Sequence, residues 1–292
     1  MDKKTYDARY ALYHAAIEEY LAGLFTADVP YKTLFESMRY SVLAGGKRIR
    51  PVLTLEWARI CGLDWKKALP FGCALELIHN YSLIHDDLPC MDNDDFRRGR
   101  PTNHKVYGEA MAVLAGDALL TDAFAVASTA KLPKPEDTAT VIGILSECAG
   151  SLGMVGGQAL DILSEERELS EQEVLDIQRR KTGCLIQAAC AMGAVAGGAD
   201  EAQYDAACQF AAGLGLAFQI RDDMLDVIGT KEEMGKSVGT DNVKNTFVRL
   251  YGLKRCEELV QIYTDYAIDA LQIFPDASHL INLAKKLTDR RV

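Results

Sequence analysis

The chain reads as an all-α protein, and three observations predict this. Apolar residues recur at three- and four-residue spacing through long segments rich in Ala, Leu, Glu and Ile. Sustained apolar–polar alternation, the mark of half-buried strands, is nearly absent. Prolines punctuate the first half at 30, 51, 70, 89, 101, 133 and 135, and none follows until Pro275. Taken in order, residues 6–24 form an amphipathic run. Gly45-Gly46-Lys47-Arg48-Ile49-Arg50 precedes Pro51, which can start a helix. A helix beginning near Phe71 should stop by Leu88, because Pro89 disfavours helix at the residue before it. Residues 171–196 form a second amphipathic run, and the segment 211–228 ends before Gly229, a plausible stop. The reading gives about ten helices with short connections. Without a linker or a break in composition, residues 1–292 read as a single domain. Residues 75–84 and 211–228 look apolar on most faces, which predicts two helices at the centre of a bundle.

Composition narrows the function classes. Hydrophobic residues at 49% and charged residues at 25% exclude disordered and collagen-like chains. A formal net charge of −10 argues against broad nucleic-acid binding, which needs cations against phosphate. It still permits a small phosphorylated ligand if Lys and Arg gather locally. The longest weakly polar stretch, 185–199, falls short of the ~20 apolar residues of a membrane span. Met1-Asp2-Lys3-Lys4 does not open a secretory leader, so the expectation is a cytoplasmic protein without a membrane segment. The eight cysteines lack any C-x-x-C pair, which predicts reduced, mostly buried thiols and no zinc site.

Both apolar helices carry aspartates near their C-terminal ends: Asp86-Asp87-Leu88-Pro89-Cys90-Met91-Asp92 and Asp222-Asp223-Met224-Leu225-Asp226. Gln219, Asp222, Asp223 and Asp226 share one helical stripe, as do His79 and Asp86. Carboxylates at a helix C-terminus face the negative end of the macrodipole. Grouping several there adds repulsion and desolvation. Divalent cations reverse the sign of each of these effects. Mg²⁺ fits best, because it takes carboxylate oxygens, keeps waters and shares positions with phosphates. Asp94 and Asp95, in a charged loop, read as solvated surface. The glycines and cations of 45–51 suit a diphosphate. Arg97-Arg98-Gly99-Arg100-Pro101 follows the first aspartates in a turn-rich loop.

The chain resembles the trans-prenyl diphosphate synthases, most closely the bacterial short-chain farnesyl type, with geranylgeranyl synthases next. The resemblance rests on the order and spacing of GGKRIRP (45–51), HNYSLIHDDLPCMDNDDFRRGRPTNHKVYGEA (79–110), LAGDALL (114–120), GGQALD (156–161), KTG (181–183), FQIRDDMLD (218–226) and GKSVGTD (235–241). It implies an isoprenoid-synthase fold: one polyprenyl synthase domain, an antiparallel helical bundle around a central cavity, usually a homodimer. It implies head-to-tail condensation of an allylic diphosphate with isopentenyl diphosphate. On this resemblance Asp86, Asp87, Asp92, Asp222, Asp223 and Asp226 bind Mg²⁺, three ions per site. Arg97, Lys181, Thr182, Gln219 and Lys236 surround the allylic group, with Lys181 and Thr182 also near the carbocation. Gly46, Lys47, Arg50, His79 and Arg98 hold isopentenyl diphosphate.

A bulky Tyr81, five residues before Asp86, and the inserted Leu88-Pro89 go with a C15 product in this family; Ser82 shares Asp86's face. C20 is the alternative. A terpene cyclase needs neither the second diphosphate site nor a second DDxxD. A non-catalytic partner subunit tends to lose aspartates that are intact here. One departure from the family pattern is that Asn242-Val243-Lys244-Asn245-Thr246-Phe247 follows GKSVGTD about two residues early, so Lys244 is left out of the site.

Overall fold

The computed structural model describes residues 1–164, 167–228 and 246–289. Its helices are α1 (Lys3–Ala22), α2 (Lys32–Val42), α3 (Ile49–Ile60), α4 (Leu69–Asp86), α5 (Asn103–Tyr107), α6 (Glu109–Ser128) and α7 (Pro135–Ala149). They continue as α8 (Met154–Leu163), α9 (Glu171–Gln178), α10 (Cys184–Gly197), α11 (Glu201–Ile228), α12 (Phe247–Asp269) and α13 (Ser278–Thr288). Local chemistry starts many of them. Asp2 caps α1 by accepting from the Thr5 N–H at 2.8 Å. Ser170 and Glu173 form a capping box on α9. Pro135 opens α7, and Pro70 sits in the first turn of α4. Helix α3 starts at Ile49, two residues before Pro51, which sits in its first turn rather than starting it.

The centre of the bundle differs from expectation in one member. Helix α4 is buried without interruption from Phe71 to Ile78, as the sequence suggested. The other helices buried on nearly every face are α3 (51–58) and α10 (185–194), and both touch α4. Helix α11 is buried over most of 211–225, but Val227 and Ile228 are exposed. A smaller core of Val174, Ile177, Ile220, Met224, Phe247 and Cys256 joins α9, α11 and α12.

Two elements have no forewarning in the periodicity. A ribbon pairs β1 (Phe96–Arg97) with β2 (Arg100–Pro101), antiparallel. Its two central residues, Arg98 and Gly99, have φ of 54° and 72°, the signature of a tight hairpin turn. Between α9 and α10 the helix continues as a π turn, Arg179–Gly183.

The eight cysteines are unpaired; Cys73, Cys190 and Cys256 are buried, Cys90 is exposed and the other four are half-buried. The longest apolar segments are not 185–199. Helix α6, and α7 taken with α8, are each long and apolar enough to cross a membrane. Here α6 packs along α4 as a member of the bundle.

Candidate active site

Helix α4 ends at Asp86, and the chain then folds back so that the Asp92 N–H donates to the Asp86 carbonyl at 2.8 Å. This return brings the third aspartate of the motif over the helix end. Burial is the main cause that lifts the Asp86 carboxyl from 3.8 to about 6, and Asp92 and Asp87 add to it. Lys181 acts most strongly in the other direction, followed by Arg97. The lysine thus stands on the π turn opposite the end of α4.

Asp87 does something different. Its carboxylate is buried and accepts two hydrogen bonds from Arg97 Nε, at 2.8 and 2.9 Å, with Arg97 Nη2 2.6 Å away. Two residues expected to hold different parts of the chemistry are therefore partners, and Asp87 orients Arg97. The second motif repeats the pattern. Asp223 is buried, accepting from Gln219 Nε2 at 2.9 Å and from the Phe247 N–H at 2.8 Å. Asp222 and Asp226 lie on half-buried positions of the same helix. Thr182 Oγ1 donates to Gln219 Oε1 at 2.9 Å, which ties the π turn to α11. Lys181 and Thr182 thus link the two acidic ends.

Asp161, at the end of the 156–161 motif, holds Lys181 by an ion pair of 2.7 Å. The sequence reading assigned it no role, because one carboxylate on an apolar helix carries no spacing signal. Gly157 on the same helix permits the contact: a Cβ there would lie 2.3 Å from the Lys181 backbone nitrogen.

The basic side is built by the loop before α3 and the ribbon. Arg98 Nη1 donates to the Gly45 carbonyl, and a Cβ on Gly46 would lie 3.1 Å from the Arg98 guanidinium. Arg50 Nε is buried without a hydrogen-bond partner among the described residues. Burial and then Arg50, Arg98, Arg97 and Arg48 hold the His79 imidazole well below its usual range, so it is neutral at pH 7. Of the cations in 47–50, Arg48 does not face this side. Its side chain is fully buried between Glu18 and Glu76.

Tyr81 is buried, with its ring edge-on to His85 at 5.7 Å and its hydroxyl without a hydrogen-bond partner among the described residues. Ser82 Oγ turns back to donate to the His79 carbonyl at 2.9 Å. Lys236, Lys244 and the 235–241 motif lie outside the described residues.

Among the described residues no three acidic, His or Cys side chains already form a closed metal cage. The donors are all carboxylates, and one of them, Asp86, carries a raised pKa that a cation would relieve. Hard oxygen donors spread over two helix ends fit Mg²⁺, which completes its shell with water and phosphate.

Residues 31–270 match the polyprenyl synthetase family. The chain is 50% identical over 239 residues to the farnesyl diphosphate synthase of Geobacillus stearothermophilus, covering 80% of each chain. The apo crystal structure of an FPP/GFPP synthase from Zymomonas mobilis superposes with a TM-score of 0.90 at 35% identity, covering 98% of this chain and 100% of that one. A Helicobacter pylori geranyltransferase, solved with magnesium and isoprenyl diphosphate, gives 0.82 at 36% identity over 96% of both chains. With a match of this extent, the chain belongs to the polyprenyl synthetase family and is a prenyltransferase.

Proposed function

We propose that the protein condenses isopentenyl diphosphate head-to-tail with dimethylallyl or geranyl diphosphate to give farnesyl diphosphate, with release of pyrophosphate. The observation that carries this reading is the segregation of charge. Carboxylates with Lys181 occupy one side, and a neutral His79 among arginines occupies the other. Asp86, Asp87, Asp92, Asp222, Asp223 and Asp226 would hold Mg²⁺, three ions per site, and Asp87 and Asp223 also orient Arg97 and Gln219. When bound, magnesium neutralises charge on the leaving pyrophosphate. Arg97 and Lys181 bind the same diphosphate, with Lys236 as a further cation. Fixed cations aimed at charge that develops only in the transition state are worth several kcal/mol, about 10²–10³ in rate each. Arg50, His79, Arg98 and Lys47 hold isopentenyl diphosphate without a metal, which retains its phosphate and brings its double bond to the allylic carbon. The Thr182 hydroxyl, beside Gln219, offers an oxygen dipole to the allylic cation. The departing pyrophosphate takes the final proton.

Tyr81 supports a C15 product as the floor of the chain cavity. A Tyr81→Ala enzyme should extend its product to C20 or beyond, read by chromatography; an unchanged product would remove Tyr81 from that role. We read residues 1–292 as one catalytic domain in the cytoplasm. We read it also as a homodimer, because Val113, Leu114, Leu152, Val155 and Leu163 leave apolar surface exposed along α6 to α8. Purified protein given Mg²⁺ and both substrates should release pyrophosphate and form farnesyl diphosphate, and EDTA should stop it. Release from the allylic substrate alone would indicate a cyclase instead, and no release a non-catalytic subunit.

A further inference from the structure

Helix α1 precedes the residues that match the family, yet one of its faces grips the glycine-rich loop before α3. That loop adopts a demanding backbone: φ is 79° at Gly45, 136° at Gly46 and 49° at Arg48. A non-glycine residue in the left-handed region persists only where its surroundings hold it there. Tyr10, His14 and Glu18 lie at i, i+4 and i+8, one stripe of α1. The Tyr10 hydroxyl donates to the Lys47 carbonyl, and His14 Nε2 donates to the Gly46 carbonyl at 2.9 Å. Glu18 Oε1 accepts from Arg48 Nε at 2.7 Å. The rest of the Arg48 guanidinium donates to Glu76 at 2.8 Å and to the Val42 carbonyl at 2.6 Å. With Arg98 on the Gly45 carbonyl, three consecutive carbonyls are each taken by a side chain.

We infer that the Tyr10–His14–Glu18 stripe is a positioning element that sets the loop, and with it Lys47 and Arg50, for isopentenyl diphosphate. The inference rests on the reading of this loop as the isopentenyl diphosphate site. It assigns the α1 residues no contact with substrate, so their loss raises the dissociation constant of one substrate only.

The test uses the full-length protein and titrates isopentenyl diphosphate by calorimetry without metal, alongside steady-state KM for both substrates. Tyr10→Phe removes one hydroxyl and keeps the ring, and His14→Leu removes one donor. Each should weaken isopentenyl diphosphate about three- to tenfold, the worth of one hydrogen bond. KM for the allylic diphosphate should stay within about twofold. His14→Gln, which keeps an N–H donor, should recover most of the loss. If Tyr10→Phe/His14→Leu binds isopentenyl diphosphate like the parent while Arg50→Gln loses it, α1 only covers the loop and the inference falls. If Arg50→Gln also binds like the parent, the loop is not that site and both readings fall. Equal rises in both KM values would likewise overturn a role confined to this substrate.

Discussion

Asp86 illustrates how a single carboxyl trades stability for chemistry. Its pKa in the fold, about 6, lies above the ordinary 3.8, so between those values the folded state holds the extra proton. Stability therefore falls as pH rises through this window, and at pH 8 the ionised group costs the metal-free fold about 1–3 kcal/mol. Asp86→Asn should raise the melting temperature in EDTA at pH 8, with the gain gone near pH 4. It should also lower turnover by about two to three orders of magnitude. A variant no more stable than the parent at pH 8 would show that the carboxylate carries no such cost. His279 titrates in the opposite sense. It is fully buried, stacked on Tyr6 at 4.6 Å, and neither ring nitrogen has a hydrogen-bond partner among the described residues. Burial depresses its pKa from 6.5 to about 4, partly offset by Glu56. The unfolded chain then takes up the proton first as pH falls. The stability this contributes is complete above pH 6.5 and is lost towards pH 4, up to ~3 kcal/mol. His279→Phe should flatten the fall in melting temperature between pH 6.5 and 4.5, and an unchanged slope would assign it to other groups.

At the scale of elements, the crossing of α8 with the π turn is a tight point of the site. Gly157→Ala would place a methyl group against backbone that cannot rotate away. We expect a loss of about 1–3 kcal/mol, measured by denaturant titration, and a fall in kcat larger than any change in KM. Normal kcat in a folded variant would show that the placement of Lys181 tolerates this shift. How much of the site was legible depends on the element. The end of α4 was readable because proline is a local signal, whereas the stop expected at Gly229 lies outside the described residues. The orientation of Arg48 was not readable, since one left-handed residue turns its side chain inward between Glu18 and Glu76. The π turn and the hairpin were also invisible. Each departs from the regular period by a residue or two, and both carry site cations.

At the scale of the whole molecule, α6 and α8 expose Val113, Leu114, Val155, Leu160, Ile162 and Leu163, while α3, α4 and α10 fill the centre. Their composition alone marks α6 and α7–α8 as candidate membrane spans, and the bundle accounts for one face of each. In the homodimer proposed above, a second copy covers the rest. Leu114→Glu combined with Leu163→Glu should convert the protein from dimer to monomer in sedimentation. A species that is monomeric before substitution would remove the dimer from the account.

From the order of its residues alone, the chain specified a helical protein with two acidic helix ends and a glycine-rich basic loop, because spacing and proline position act within a few residues. The tertiary structure decided which partner each of several equivalent-looking charges takes. Asp87 went to Arg97, Asp223 to Gln219 and Arg48 to Glu18 and Glu76. Helical periodicity states which residues share a face, whereas the partner across that face comes from a segment distant in the chain.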